Sequence, residues 1–163
     1  MKICYISAYS FLIFDGISNG LIPFLWILKI PIRVKNFLWL TVKSKMLTAS
    51  LCVLCNSDSE TMEHLILDCS YSNSMWIRLL HSAPTAYHRL SNSPGGIAVR
   101  WCSSRLLLTG EFKKNFDLYV AAGCWELWKE RNRRLFDNKS QRSEILARAI
   151  NDTIKQWVSA LGC

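Results

Sequence analysis

Residues 51–70 read LCVLCNSDSETMEHLILDCS and place Cys52, Cys55, His64 and Cys69 within eighteen positions. Three explanations fit such a cluster: a metal site, a disulfide framework, or a core histidine beside unrelated thiols. The chain has seven cysteines, which is an odd number. Clustered cysteines are usually metal ligands in a reducing compartment and disulfides in an oxidising one. The choice therefore depends on the compartment.

The N-terminal run MKICYISAYSFLIFDG has one lysine followed by apolar residues, as a signal peptide would. No small-x-small cleavage site follows it, and Asp15 ends the apolar run after twelve residues. Gly16, Ser18, Asn19 and Gly20 then interrupt it before the roughly 20 residues that a membrane span requires. We therefore expect an intracellular protein without a membrane segment, in which the cysteines are reduced.

Under these conditions the cluster has the composition of a zinc site. Cys52 and Cys55 have the Cys-x-x-Cys spacing of a tight turn, His64 follows after eight residues, and Cys69 after four more. Three thiolates and one imidazole fill a tetrahedral coordination sphere and leave no position for a catalytic water. The spacing predicts one structural Zn²⁺ ion. The remaining cysteines are expected to be small buried residues or free thiols: Cys4, Cys102, Cys124 and Cys163.

Local patterns predict helices on both sides of the cluster. Val34, Phe37, Leu38 and Thr41 recur at helical spacing after Pro31, which indicates a helix near residues 31–43. Within the cluster, Ser59 or Thr61 can cap a short helix that has Glu63 or His64 in its first turn. A second amphipathic helix is expected near residues 72–81, with Met75, Trp76, Leu79 and Leu80 on its apolar side.

The second half of the chain is expected to end in a helical hairpin. Residues 82–97 are rich in Ser, Pro, Asn and Gly and predict a linker. One apolar stripe beyond it comprises Phe116, Tyr119, Val120, Cys124, Leu127 and Trp128, which favours core packing over base stacking. The next helix should open near Ser140 and pack antiparallel on its predecessor, through Leu146, Ile150, Thr153, Trp157 and Leu161. The predicted fold is mainly α, with a small helical domain around the zinc knot and a C-terminal helical hairpin.

Composition agrees with a folded chain, whose positive charge fits either a polyanionic partner or ordinary surface charge. Half of the 163 residues are hydrophobic and 20% are charged, unlike a disordered chain. The net charge is +8, which favours nucleic acid without proving it. The basic segment KERNRR, residues 129–134, fits either phosphate contact or a solvated helix end that complements the helix dipole. Candidate phosphate contacts are Lys29, Arg33, Lys35, Arg131, Arg133 and Arg134.

No set of catalytic residues is recognisable. A Tyr-x-Asp-Asp stretch is absent, and the acidic residues are too scattered for ribonuclease H chemistry. The SPGG stretch at residues 93–96 lacks the Lys-Ser or Lys-Thr of a phosphate-binding loop. His81 and His88 have no nucleophile or carboxylate nearby in sequence and are expected at the surface. These absences predict that the chain is not an enzyme.

The motifs form one ordered series. Trp26, Pro31, Phe37, Trp39 and Leu47-Thr48 precede the Cys52 and Cys55 turn, and Glu60-Thr61, His64-Leu65, Cys69 and Trp76 follow. This series, over roughly residues 5–80, resembles the zinc-binding domain that follows the reverse transcriptase in plant non-LTR (LINE-type) retrotransposons. CWELWKERNRRLF, further on, resembles a segment that often follows this domain. Lys29 stands two residues later than the family's lysine, the link from Leu47-Thr48 to Cys52 is shorter, and the usual proline after the first cysteine is missing.

The resemblance implies three regions: a zinc-binding domain at residues 5–80, the linker at 82–97 and a helical region at 98–163. It also implies a retrotransposon-derived piece of a polyprotein that lacks its polymerase. Two functions remain open. One is a nucleic-acid-binding zinc module for RNA or single-stranded DNA. The other is a structural or interaction module that braced the polymerase domain of its parent element, or a remnant of it.

Overall fold

The computed structural model describes residues 18–161, with the backbone alone at residues 18–20, 22–23 and 110–114. This part of the chain contains helices and connecting turns and no β-strand. The helices are α1 (Ser18–Ile27), α2 (Ile32–Val42), a single π-helical turn (His64–Asp68), α3 (Ser70–Leu79), α4 (Pro84–Asn92), α5 (Ile97–Leu106), α6 (Gly110–Asp137) and α7 (Ser143–Leu161). The mainly α fold is confirmed.

Two of the predicted helices flank the cysteine-rich segment. The helix expected at residues 31–43 is α2, which follows Pro31 and buries Val34, Phe37, Leu38 and Thr41. The helix expected at residues 72–81 is α3, which begins two residues earlier and buries Met75, Trp76 and Leu79. Because these apolar residues recur at i, i+3 and i+4, each helix presents one continuous face to the core.

Helices α6 and α7 form the predicted C-terminal hairpin. Gln141 N–H donates to Glu130 Oε1 at 3.0 Å, and Thr153 Oγ1 donates to Glu126 Oε1 at 2.7 Å. These contacts run in opposite order along the two helices, so the helices are antiparallel. Asn138, with φ 51°, ends α6 in the left-handed conformation that asparagine tolerates better than most residues.

The long helix α6 packs against both neighbours of the cysteine-rich segment. The Phe37 ring of α2 lies 5.3 Å from the Trp125 ring and 5.9 Å from the Trp128 ring, measured between centroids. On α3, Trp76 is fully buried, and its indole N–H donates to the Ile66 carbonyl at 2.7 Å. Phe116, Val120, Cys124 and Leu127 of α6 are fully buried, so the apolar stripe is core, as expected.

The segment at residues 82–97 differs from the expected linker. It contains α4, which has Pro84 in its first turn and buries Ala86 and Leu90. A short polar helix has little stability alone, but contact with α5 and α3 compensates for the Ser, Pro and Asn content. Buried side chains from the parts of the chain before and after α4 belong to one hydrophobic cluster. The division into regions 5–80 and 98–163 stays a prediction.

None of the described helices is long and apolar enough to cross a membrane. The N-terminal apolar run, residues 3–14, lies outside the described part of the chain, so the prediction made for it stays a prediction.

Candidate metal centre

The first two candidate ligands lie on a tight turn. Asn56 N–H donates to the Cys52 carbonyl, and Cys52 N–H donates to the Asp58 carbonyl, each at 2.8 Å. Asn56 has φ 55°, and this left-handed residue reverses the chain just after Cys55. We call residues 52–55 the Cys turn. These bonds hold the two ends of the Cys turn close together and fix both cysteines on one loop.

The other two candidate ligands lie at the ends of the π-helical turn. Thr61 Oγ1 accepts from His64 N–H at 3.0 Å, so this hydroxyl caps the helical residues that begin at Met62 and lead into the π turn. Cys69 N–H then donates to the His64 carbonyl at 2.7 Å, an i to i+5 bond. Residues five apart in an α-helix are separated by about 140° around its axis. In the wider π turn, His64 and Cys69 are separated by a smaller angle around the helix axis, so they lie on the same side. Such turns often occur at functional sites.

We call Cys52, Cys55, His64 and Cys69 the Cys3His cluster. Their ligand atoms all lie within 4.8 Å of one another. Cys52 Sγ is 3.9 Å from Cys69 Sγ, and Cys55 Sγ is 3.3 Å from His64 Nε2. A tetrahedral zinc ion requires about 3.8 Å between two sulfurs and about 3.5 Å between sulfur and nitrogen, from its usual bond lengths. The donor types and both distances fit zinc.

Burial and acid–base properties also favour a metal. Cys52 and Cys69 are buried, and Cys55 and His64 are half-buried. The side-chain hydrogen bond with Cys69 lowers the pKa of Cys52 to about 5. The same bond, followed by burial, raises the pKa of Cys69. Two thiols that share one proton in this way form a ready site for a cation, because a bound metal ion displaces the shared proton.

Glu60 is a buried acid beside the cluster that sequence reasoning did not single out. Its Oε1 accepts from Ala49 N–H at 2.7 Å and from Arg131 Nη2 at 2.8 Å. Glu60 therefore ties the segment before the Cys turn to α6. A signal was present in the sequence, since Glu60 belongs to the Glu-Thr step of the motif series, but its partner lies 71 residues further on.

The predicted phosphate contacts separate into two groups. Lys29 and Arg33 are exposed near the junction of α1 and α2, and the Arg33 guanidinium lies 5.9 Å from the Trp125 ring. Lys35 Nζ donates to the Trp26 carbonyl at 2.7 Å, across the same junction. These three cations belong to one region of the surface.

The three arginines of the second group make contacts within the protein. Arg131 is buried against Glu60, so this side chain differs from the exposed cation that phosphate contact requires. Arg134 pairs with Glu130 at 2.8 Å and is also mostly buried. Arg133 pairs with Glu130 but retains partial exposure. Within KERNRR, Arg133 and Lys129 thus keep exposed surface, whereas Arg131 and Arg134 are held by contacts within the protein.

The remaining cysteines and histidines of the described residues lie outside the Cys3His cluster. Cys124 is buried and Cys102 half-buried, both as free thiols, whereas Cys4 and Cys163 lie outside the described residues. Burial raises the pKa of Cys102 to about 11 and that of Cys124 to about 12. His81 and His88 are exposed, as expected.

The described part of the chain is helical and carries a Cys3His cluster that could hold a metal ion. Residues 5–76 match the family described as zinc-binding in reverse transcriptase. Over these residues the chain therefore resembles a zinc-binding domain of the reverse transcriptase type, and the resemblance to plant non-LTR retrotransposon proteins is confirmed. Zinc is its metal.

One curated relative, from Arabidopsis thaliana, is described as a putative ribonuclease H protein. It is 28% identical over 89 residues, which are 45% of this chain and 14% of the relative. The chain thus spans a small part of that protein's length. No solved structure matches the chain.

Proposed function

We propose that Cys52, Cys55, His64 and Cys69 bind one structural zinc ion, and that the domain so stabilised is a non-catalytic module for single-stranded RNA or DNA. Four protein ligands complete a zinc coordination sphere, so the metal has no position for substrate. The ion would hold the Cys turn against the π-helical turn. In small domains of this kind, metal ligation contributes directly to folding free energy.

The arrangement of acidic groups supports a non-catalytic role. Among the described residues, the Cys3His cluster is the one group of three or more side chains that can share a metal ion. The buried acids pair with basic side chains: Glu60 with Arg131, Asp117 with Arg105, Glu126 with Lys129, and Glu130 with Arg133 and Arg134. Paired carboxylates of this kind do not form the metal site of a ribonuclease H.

One surface carries the proposal of nucleic-acid binding. Residues 18–57 include five cations and no acidic residue: Lys29, Arg33, Lys35, Lys43 and Lys45. Two tryptophans are exposed among them, Trp26 at 45% and Trp39 at 40%. Lys35 lies one helical turn before Trp39 and contacts the Trp26 backbone, so charge and aromatic surface adjoin.

This combination matches what single strands bind. Phosphate contacts supply affinity through released counterions, and exposed aromatic rings stack on bases without sequence preference. We retain Lys29, Arg33 and Lys35 as the proposed phosphate contacts, with Arg133 as a peripheral one. Arg131 and Arg134 are not among the proposed contacts, since their side chains form ion pairs within the protein.

Salt dependence of binding tests the proposal. We expect the zinc-loaded chain to bind a labelled single-stranded RNA, measured by fluorescence anisotropy, with an affinity that falls as salt rises. Arg33→Gln with Lys35→Gln should reduce the slope of log affinity against log salt by about 1.4, because each contact to a single strand contributes about 0.7. Arg142→Gln with Arg148→Gln removes the same charge from exposed positions near and on α7 and is the matched control.

The alternative is a docking surface for the polymerase domain of a parent element. Ile27 and Ile32 favour it, because they are 74% and 62% exposed in the same region. A docking surface of this kind depends on apolar burial and would be insensitive to salt. If the two charge-removing variants bind RNA with equal slopes, the docking role replaces nucleic-acid binding.

A further inference from the structure

Arg134, near the C-terminal end of α6, contacts the loop that carries two of the candidate metal ligands. Arg134 Nη1 donates to the Leu54 carbonyl at 3.0 Å and to the Val53 carbonyl at 3.3 Å. Val53 and Leu54 are the two residues between the ligands Cys52 and Cys55. We propose that Arg134 is a positioning residue for the Cys3His cluster, whose guanidinium holds the Cys turn in the shape that binds zinc.

The guanidinium is itself fixed on all sides. Arg134 Nε donates to Glu130 Oε1 at 2.8 Å, and Nη2 donates to the Gln141 carbonyl at 3.2 Å. Its plane lies over the Tyr71 ring, with Cζ 4.4 Å from the centroid. The side chain is 16% exposed. A planar fork with this many partners has little freedom, so the carbonyls of the Cys turn meet a rigid donor.

The two segments that supply the candidate ligands both contact the Arg134 side chain. The Cys turn carries Cys52 and Cys55, and Tyr71 lies two residues after Cys69. Glu130 and Gln141, which hold the other side of the guanidinium, belong to the α6–α7 hairpin. Arg134 therefore connects the hairpin to the Cys turn and to the chain that leaves the last cysteine.

Electrostatics act in the same direction. Three thiolates carry more negative charge than one Zn²⁺ ion neutralises, so the loaded cluster has net negative charge. The Arg134 cation is held against the Cys turn and opposes that charge. Nη1 alone donates to both carbonyls of the Cys turn, while Nε and Nη2 are held by Glu130 and Gln141. A single ammonium group lacks this planar set of donors and cannot make all these contacts in the same geometry.

Arg134 lies beyond the part of the chain that matches the family, which ends at residue 76. The C-terminal hairpin would therefore help to shape the metal centre, although it lies outside the matched region. This inference rests on the proposed ligand set, and the experiment must separate the two.

The test is the rate of zinc transfer from the full-length, zinc-loaded chain to an excess of a chromophoric chelator. Arg134→Gln should release zinc about 10-fold faster than the parent chain, the size of effect that hydrogen-bonding partners of metal sites usually have. Arg105→Gln is the control, because it breaks a partly buried arginine–carboxylate pair, to Asp117, that joins α5 to α6. Its release rate should stay close to that of the parent.

A second readout distinguishes positioning from general destabilisation. The visible absorption of the Co²⁺-substituted chain reports ligand geometry, and we expect it to change in Arg134→Gln and to remain unchanged in Arg105→Gln. Arg134→Lys retains the charge but not the fork, so its release rate should lie between those of the parent and Arg134→Gln. If Arg134→Gln does not fold, the comparison of Arg134→Lys with the parent decides the question.

Equal release rates for Arg134→Gln and Arg105→Gln, with identical cobalt spectra, would overturn the positioning role. So would a release rate of Arg134→Lys equal to that of the parent when Arg134→Gln cannot be folded. Zinc content is measured first in the parent and in Cys55→Ser. If these two contents are equal, the ligand set has failed; if they differ and the release rates do not, only the role of Arg134 has failed.

Discussion

Glu60 and Arg131 form an ion pair with Oε1 and Nη2 2.8 Å apart, although 71 residues separate them in sequence. The Glu60 side chain is completely buried, and Arg131 is almost completely buried, with its guanidinium carbon 5.0 Å from the Trp128 ring. A buried pair of this kind adds little net stability, but loss of one partner leaves an uncompensated charge in the core. The pair therefore enforces the docking of α6 on the loop between Cys55 and His64.

Arg131→Gln should lower the free energy of unfolding by about 3–5 kcal/mol, because it strands the Glu60 carboxylate. Urea unfolding of the zinc-loaded protein measures the loss. Arg78→Gln is the control, because it breaks an exposed ion pair with Glu144 at a similar distance, 2.7 Å. It should lower the free energy of unfolding by less than about 1 kcal/mol. Equal losses in the two variants would mean that the Glu60–Arg131 pair has no special structural role.

Cys55→Ser should lower the zinc content of the purified protein well below the one ion per chain that we expect for the parent. The serine hydroxyl is a poor replacement for a thiolate, and the remaining three ligands leave the coordination sphere incomplete. Cys102→Ser is the control, since Cys102 is a half-buried free thiol outside the cluster. Elemental analysis measures both variants, and an unchanged zinc content in Cys55→Ser contradicts the ligand assignment.

Gly123 should not tolerate a side chain. A Cβ atom at this position would lie 2.3 Å from Cη2 of Trp76, whose ring is enclosed in the core. Gly123→Ala should therefore lower the free energy of unfolding by about 1–3 kcal/mol, as overpacking usually does. At Gly96 an added Cβ would have ordinary contact, 3.5 Å from Glu63 Oε1, so Gly96→Ala is the control. Thermal unfolding midpoints compare the two, and a midpoint of Gly123→Ala equal to that of the control refutes the close packing.

Cys102 and Cys124 should resist alkylation near pH 8. Burial raises their pKa values to about 11 and about 12, so the reactive thiolate is scarce until the pH approaches those values. Chelation of zinc, in contrast, should expose Cys52, Cys55 and Cys69 to the reagent. Peptide mapping after iodoacetamide treatment identifies each site. Rapid modification of Cys124 in the zinc-loaded protein would contradict its burial.

The features that sequence predicted well are local. Ligand types and their spacing lie within residues 52–69, and the helical period of Val34, Phe37 and Leu38 spans a few turns, so both can be recognised without tertiary contacts. The hairpin of α6 and α7 follows from two apolar stripes joined by a short turn.

The features that sequence missed depend on distant contacts. KERNRR was open to a role in phosphate binding because the Arg131 partner, Glu60, is in another part of the chain. Helix α4 was missed because its Ser, Pro and Asn content favours a linker, and its stability comes from packing on α5. The π-helical turn has no recognisable local signal, since it depends on how His64 and Cys69 meet in the cluster.

Trp39 provides the last prediction, which separates stacking from charge. Its ring is 40% exposed on α2, one turn after Lys35. If it stacks on a base, Trp39→Ala should weaken binding of single-stranded RNA by about 1–3 kcal/mol and leave the salt slope unchanged, because no phosphate contact is lost. Leu47→Ala is the control: Leu47 is 89% exposed and apolar but not aromatic, and the variant should bind like the parent. Fluorescence anisotropy at several salt concentrations measures affinity and slope together. A reduced slope in Trp39→Ala would show that the substitution disturbs the phosphate contacts, and unchanged affinity would remove Trp39 from the binding surface.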